Sequence, residues 1–397
     1  MEDIVTPWET SCDKNGFKYD RLITKFGVKP ITSELLNRFE KVTNVKPHRW
    51  LTRGLFFAHR DLEKILDAYE NSQPIFLYTG RGPSSKSLHL GHMIPFMFMQ
   101  WLQQVFNAFV VIQISDDEKY QFSKDPNLDF TTIHQWGYDN IADIKACNFI
   151  TDKTFIFSNH DYSRYCPHVY PFLMEMMKHM SVYNIQDTFF GKEDKWETMN
   201  IYGSTVDLKI KERKNCTVGQ LLWPIQQSAA SFAKFYPQLI PDNALCLVIY
   251  AIDQDPYFRD ARDVASKIHQ SKPCSIMSKF LPALNNDGKM SSSGKNPNFT
   301  IFMDDTKEDI ATKIKKYAIS GGRSTLEEHQ KLGGSLDIDI SYQYLQYFLE
   351  SDSELQSIAN AYSSGKMTTS EIKKITIDVI SDIVGNHQRN KNIFKIL

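Results

Sequence analysis

The sequence predicts an α/β protein: a parallel β-sheet domain covered by helices on both faces, followed by an all-helical domain. Three observations carry that expectation. Short, nearly unbroken apolar runs at Pro74 to Thr79, Phe109 to Ser115, Phe155 to Ser158 and Ala244 to Ile252 end in polar residues, as strands buried on both faces do. Helical spacing fills the chain after the first run, from Ser87 to about Phe106. Beyond Ser293 the strand-like runs stop and only helical spacing remains. With 397 residues the chain can form two cores, since single cores tend to split beyond roughly 250 residues.

Residues 1 to 70 read as an extension packed on the sheet domain. Val5-Thr6-Pro7-Trp8 is an extended piece whose tryptophan either fills core or covers a site. Leu35, Leu36 and Phe39 give a helix over Ser33 to Val42, and Leu62, Ile65, Leu66 and Tyr69 give another over Asp61 to Tyr69. The first strand breaks at Gly80-Arg81-Gly82-Pro83, the second meets Asp116-Asp117-Glu118-Lys119, and the last ends at Asp253-Gln254-Asp255-Pro256. Ligands are expected over such carboxyl ends.

In the helical domain Thr306 and Asp309 stand near capping-box spacing ahead of Ile310, Ile314 and Tyr317. Paired glycines, Gly321-Gly322 and Gly333-Gly334, bracket a short helix, Ser324 to Lys331. Tyr342 to Glu350, Glu354 to Tyr362 and Thr368 to Asn386 follow, the last with a Thr368/Glu371 capping box and a stripe of Ile372, Ile375, Val379 and Ile383.

Several function classes are excluded or disfavoured. The longest apolar runs fall short of the roughly 18 to 20 residues of a membrane span. Met1-Glu2-Asp3-Ile4 lacks the basic start and apolar stretch of a signal peptide, so a cytoplasmic enzyme is the default. Six cysteines without Cys-x-x-Cys spacing read as isolated thiols, and with no His-Glu-x-x-His among 11 histidines no protein metal site is expected. A net charge of -1 leaves nucleic acid open, because a local basic patch can sit on a neutral whole. The chain has neither Gly-x-x-x-x-Gly-Lys-Ser/Thr nor Gly-x-Gly-x-x-Gly after a first strand, which disfavours ordinary ATPases and dinucleotide dehydrogenases.

Two separated segments instead suggest a two-part phosphate site. His89-Leu90-Gly91-His92 opens a helix just past a strand, where unpaired backbone N–H groups attract an anion. His89 and His92, three apart, share one helix face and can donate to one phosphate as charge develops. The alternative is that one caps the helix and the other packs. Arg81 adds a planar cation and Gly80, Gly82 and Gly91 permit close approach. Two hundred residues on, Lys289-Met290-Ser291-Ser292-Ser293 offers a point charge and a hydroxyl-rich loop.

These segments resemble the two signature motifs of class I aminoacyl-tRNA synthetases. More narrowly, Tyr78-Thr79-Gly80-Arg81-Gly82-Pro83-Ser84-Ser85, Val111-Ile112-Gln113 with Asp116-Asp117-Glu118-Lys119-Tyr120, and Ala251-Ile252-Asp253-Gln254-Asp255-Pro256-Tyr257-Phe258-Arg259 resemble the tryptophanyl-tRNA synthetases of eukaryotes. The likeness runs from about Pro7 to the C-terminus, through Ser320-Gly321-Gly322-Arg323. Where the commoner pattern has a second lysine this chain has Ser292, a departure shared by the eukaryotic tryptophanyl enzymes.

The resemblance implies a Rossmann-like catalytic domain over 71–297, an anticodon-binding helical domain over 298–385, and a C-terminal return over 386–397. It also implies a compact form without an appended N-terminal helical domain. The implied reaction is ATP-dependent activation of L-tryptophan and its transfer to tRNA(Trp), with Mg2+ carried by ATP, in a homodimer. Residue by residue it assigns catalysis to His89, His92, Lys289 and Arg81, and the amino-acid pocket to Tyr78, Gln113, Glu118, Gln227 and Gln254. ATP falls to Thr79, Arg81, His89, Gly91, His92, Lys119, Lys289, Met290, Ser291 and Ser292. Lys313, Lys315, Lys316, Lys373 and Lys374 are candidates for RNA backbone contacts. The alternatives are a tyrosyl-type synthetase or a catalytically silent RNA-binding relative.

Overall fold

The protein is described by a computed structural model covering residues 4–5, 10–11, 17–190, 192–201, 204–213, 215–291 and 296–396. Trp8, Ser292 and Ser293 lie outside the described residues. In chain order the strands are β1 (Ile4–Val5), β2 (Thr10–Ser11), β3 (Lys29–Pro30), β4 (Phe56–Arg60), β5 (Ile75–Arg81), β6 (Phe109–Ile114), β7 (Thr154–Ser158), β8 (Lys192–Ile201), β9 (Ser204–Arg213), β10 (Leu245–Ala251) and β11 (Cys274–Ser278).

Seven of them form the central sheet, in the order β3-β4-β11-β10-β5-β6-β7. The five strands from β11 to β7 are parallel, and β4 and β3 extend one edge antiparallel. The sheet is therefore mixed rather than wholly parallel. Strand β4 reads Phe-Phe-Ala-His-Arg and β11 Cys-Ser-Ile-Met-Ser, too short or too polar to stand out beside the longer apolar runs. Alternation along β5 sends Phe76 and Tyr78 to one buried face and Leu77 to the other, so each face has its own core. Strands β6 and β7 lie to one side of β5, and β10 and β11 to the other. The order of connection reverses between β5 and β10, where a crevice opens at the strand ends.

The helix Leu90–Phe106 starts in that crevice and is buried on most sides. Its residues share one core with the helical region, through Ile310, Ile314, Tyr344 and Ile377. A second clasp joins the N-terminal part to that region: Arg53 donates to the carbonyls of Gln346, Leu349 and Glu350 at the end of the helix Ile340–Phe348. Thr306 and Asp309 do form a reciprocal capping box before the helix Lys307–Tyr317.

The C-terminal helix runs Thr369–Ile396, ten residues past the expected stop at Asn386. Gly385-Asn386 has the composition of a helix end, but tertiary contacts override it. His387 and Lys391 reach Asp143 at 3.1 and 2.5 Å, and Asn390 donates to the Ala146 carbonyl, so the return to the sheet body is the same helix continued.

Two of the proposed RNA-contact lysines are occupied internally. Lys313 holds both oxygens of Asp305 at 2.7 Å, and Lys373 donates to the carbonyls of Lys315 and Ala318, closing the preceding helix. Lys315, Lys316 and Lys374 remain exposed. Among the described residues no helix is long and apolar enough to cross a membrane.

Candidate active site

A cavity of about 410 Å³ occupies the crevice, walled by the ends of β5 and β10, the start of the helix Leu90–Phe106 and the segment around Lys289. Such a switch point between parallel strands is where this class of sheet holds a ligand.

At one end stand the two histidines. His89 is the N-cap of the helix and His92 its third residue, and each backbone N–H points at the other's Nδ1 in a reciprocal box. Their rings stack with centroids 3.4 Å apart. Arg81, carried to the site by the end of β5, lies 3.0 Å from His92 Nε2 through Nη1. A guanidinium has no acceptor, so His92 Nε2 accepts; the ring proton then sits on Nδ1, and the 3.4 Å approach of the His89 N–H to that atom is a contact, leaving the His92 N–H on His89 Nδ1 as the hydrogen bond of the box. Burial, followed by the Arg81 charge, holds both histidines well below the usual range, so they are neutral at pH 7. His89 Nε2 is buried with no partner among the described residues. The capping reading holds here: the box orients the rings and leaves the Nε2 of His89 available to donate.

Arg81 is itself oriented by Asn140 Oδ1 at 3.2 Å and Ser84 Oγ at 3.2 Å. Burial lowers it to about 10, which leaves it charged at neutral pH. Across the cavity Lys289 Nζ pairs with Asp253 Oδ2 at 2.6 Å and lies 5.4 Å from the Phe280 ring centre. Met290 packs in the core as well as lining the cavity, with its N–H on the Leu281 carbonyl. The Ser291 carbonyl accepts from Thr300 Oγ1. A Cβ on Gly91 would stand 3.2 Å from two His89 ring atoms, so glycine keeps the histidine pair unstrained.

Glu118, Gln227, Gln254 and Phe258 line the same cavity. Glu118 accepts from Ser115 Oγ at 2.9 Å and pairs with Lys119 at 3.2 Å. A Cβ on Gly82 would fall 2.3 Å from Glu118 Oε2, so a side chain there would push Glu118 and Lys119 out of place. Thr79 donates to the Ile249 carbonyl at 2.7 Å, tying β5 to β10 beside the cavity. Tyr78 and Gln113 sit one layer behind the wall, fully buried and bonded to each other at 2.6 Å. Gly80 separates them from the cavity, its absent Cβ position lying 3.7 Å from the Tyr78 hydroxyl.

Comparison with known proteins accounts for this layout. The family of class I tRNA synthetases (W and Y) matches residues 70–385. The cytoplasmic tryptophan–tRNA ligase of Bos taurus is 45% identical over 397 residues, spanning 98% of this chain and 77% of its own. The solved Plasmodium falciparum tryptophanyl-tRNA synthetase is similar with a TM-score of 0.82 and 40% identity, over 95% of this chain and 92% of that one. A tryptophanyl-tRNA synthetase from Encephalitozoon cuniculi, solved bound to tryptophan, gives 0.79 and 32% over 94% and 96%. This chain belongs to the class I tRNA synthetases, in their eukaryotic tryptophanyl branch.

For this synthetase the crevice brings Arg81, His89, Gly91, His92, Lys119, Lys289, Met290 and Ser291 to one cavity with Thr79, Glu118, Gln227 and Gln254. Tyr78 and Gln113 form its backing, and Ser292 lies outside the described residues. Asp253, Asn140, Asn159 and Asp117 were not anticipated. Asp253 had a signal, an acid just past the end of an apolar strand, where it meets Lys289. Asn140 had none, because it is one polar residue inside an ordinary helix, Phe130–Lys145.

Proposed function

We propose that this cavity is where the synthetase activates L-tryptophan with ATP before transfer to tRNA(Trp). Tryptophan–tRNA ligase activity is the function of its relatives in the tryptophanyl branch. The observation that carries the reading is the composition of the cavity lining: the cations Arg81, Lys119 and Lys289 and the two histidines share it with the Glu118 carboxylate and the carboxamides of Gln227 and Gln254.

In the first step the tryptophan carboxylate attacks the α-phosphorus of ATP, and the bond to pyrophosphate breaks. The protein's work is placement and stabilisation of the charge that develops on the phosphates. His89 donates from Nε2, His92 holds Arg81 in register, and Arg81 and Lys289 face the phosphates, with Lys119 beside them. The N–H groups at the helix start add to this field. Magnesium would be carried by the nucleotide, since Arg81, His89, His92 and Lys289 offer nitrogen groups and Asp253 is taken by Lys289, and it would help neutralise phosphate charge.

Glu118, Gln227 and Gln254 take the α-amino group and polar edges of the amino acid, while Tyr78 and Gln113, now closed off behind Gly80, read the indole N–H once the wall at Gly80 and Gln227 gives way to the ring. A site built to pair that group rejects phenylalanine, which would leave acceptors unsatisfied. In the second step a terminal adenosine hydroxyl of the tRNA attacks the adenylate carbonyl and AMP leaves. The exposed Lys315, Lys316 and Lys374 on the helical region, 298–385, suit RNA phosphates. The catalytic part spans 71–297 behind an extension, 1–70.

A homodimer is supported by the apolar side chains exposed on adjacent helices Asn159–Tyr165, Val169–His179 and Val182–Ile185, among them Tyr165, Tyr170, Met174 and Val182. Light scattering on the purified chain tests it, and cytoplasmic residence follows the relatives. The activity itself is tested by exchange of labelled pyrophosphate into ATP. Tryptophan should drive exchange and tyrosine should not; equal exchange with tyrosine refutes the specificity.

A further inference from the structure

Behind the cavity a chain of buried side chains crosses the carboxyl ends of three neighbouring strands. The Tyr78 hydroxyl on β5 donates to Gln113 Oε1 on β6 at 2.6 Å. Gln113 Nε2 donates to Asn159 Oδ1, just past β7, at 2.8 Å. Asn159 Nδ2 donates to Asp117 Oδ1, just past β6, at 2.8 Å. Gln113 and Tyr78 are fully buried, Asn159 nearly so and Asp117 partly, so little water competes at the Tyr78 end of the line.

The direction of this chain follows from its last atom. Asp117 Oδ1 also receives the Glu118 backbone N–H at 2.9 Å, so it is an acceptor whether or not the carboxyl is protonated at its other oxygen. Burial raises the Asp117 carboxyl to about 7, and the shared backbone N–H makes the chain's polarity independent of that titration. An acceptor at Asp117 requires the amino end of Asn159 to face it. The Asn159 oxygen then faces Gln113, whose amino end must donate, and the Gln113 oxygen faces Tyr78. Tyr78 is left with its one proton committed. Its other neighbour, the Gln227 carbonyl at 3.4 Å, is also an acceptor and fills neither lone pair.

We propose that Asp117 and Asn159 are positioning residues for substrate specificity: they fix the hydrogen-bond direction so that Tyr78 presents only lone pairs to the amino-acid side chain, selecting a ring that carries an N–H. The proposal rests on the reading that the indole is bound against Tyr78 and Gln113. It adds that the selection is set two residues further back, by groups that never touch the substrate. Removing the acceptor at Asn159 frees the Gln113 amide to turn over and offer Tyr78 a donor, which erases the preference.

The test compares L-tryptophan with its benzothienyl analogue, in which sulfur replaces the ring N–H at nearly unchanged shape. The ratio of kcat/KM values in pyrophosphate exchange is the readout. It isolates the N–H contact, and a merely structural role does not move it. In the Asn159→Leu variant the ratio should fall by about tenfold or more while the KM for ATP stays within about twofold. The exchanged pair, Asp117→Asn with Asn159→Asp, keeps an acceptor facing Gln113 and should restore the ratio. A folded Asn159→Leu protein with the parent ratio overturns the proposal. If that variant does not fold, loss of the ratio in a folded exchanged pair overturns it instead. A parent enzyme that does not discriminate between the two substrates overturns the indole reading itself, which separates the two failures.

Discussion

Arg81 and His92 are joined by a 3.0 Å contact in which the guanidinium donates and the imidazole accepts. That direction makes His92 a fixed neutral base, with its stacked neighbour His89 left as the donor to ligand. Both rings should therefore stay neutral well below the ordinary histidine range. Protonation is favoured in the unfolded chain, so this pair costs stability as pH falls below about 6.5 and is silent above it. Histidine NMR signals from these two rings should not move between pH 8 and 6, while ordinary exposed histidines titrate. His89→Ala should lower kcat for adenylate formation by about 10²-fold, with a smaller change in tryptophan affinity.

Lys289 presents a different balance, because its charge is paired with the nearly buried Asp253. Lys289→Ala removes the phosphate-facing cation and leaves a lone carboxylate in the wall. Breaking a partly buried pair costs about 1–2 kcal/mol, allowing for the partial exposure of the lysine. The double change with Asp253→Asn should recover that stability and leave activity low. Thermal melts alongside pyrophosphate exchange separate the effects; recovery of both together would show that Lys289 is only structural.

This pair shows where sequence reading stops. Lys289 was legible because a lysine beside small hydroxyl residues matches a motif, and the strands β5, β6 and β10 were legible because buried parallel strands are apolar almost throughout. What faces Lys289 was not legible, since Asp253 meets it only after β10 and β11 come side by side. Likewise β4, between β3 and β11, escaped notice because a strand of five residues has no period long enough to read. The resemblance assigns Tyr78 and Gln113 to the amino-acid pocket, but sequence says nothing about depth, and both lie behind the wall of the cavity rather than on it.

Asp260 gives a stability test remote from the cations. Its carboxyl is raised to about 7, first by burial, with Thr188 its hydrogen-bond donor and Oδ2 without a partner among the described residues. Between the free value near 4 and about 7 the folded chain holds a proton that the unfolded chain has released, so stability falls as pH rises through that window. Asp260→Asn removes the dependence. The variant should melt on the order of a few degrees above the parent at pH 8 and gain clearly less at pH 5, about a third as much; an equal difference at both values would contradict the assignment.

Asp143 links the C-terminal helix to the phosphate end of the cavity. It is buried, takes His387 and Lys391 from that helix, and sits one turn from Asn140, which orients Arg81 and also donates to the carbonyls of Ser85 and Lys86. Removing the lysine leaves the carboxylate short of a cation in a place without water, and the helix Phe130–Lys145 must relax to compensate. Because Asn140 rides on the same helix, the relaxation reaches Arg81 before it reaches the tryptophan end. Lys391→Ala should raise the KM for ATP by about three- to tenfold, leave the KM for tryptophan nearly unchanged, and cost about 2–3 kcal/mol of stability. Asp143→Asn with Lys391→Ala should restore most of the stability and, if Asn140 is the link, the ATP affinity with it. Steady-state kinetics in each substrate on the two variants decide the point: parallel changes in both KM values would mean a general loosening, and a change confined to ATP would locate the coupling at Arg81.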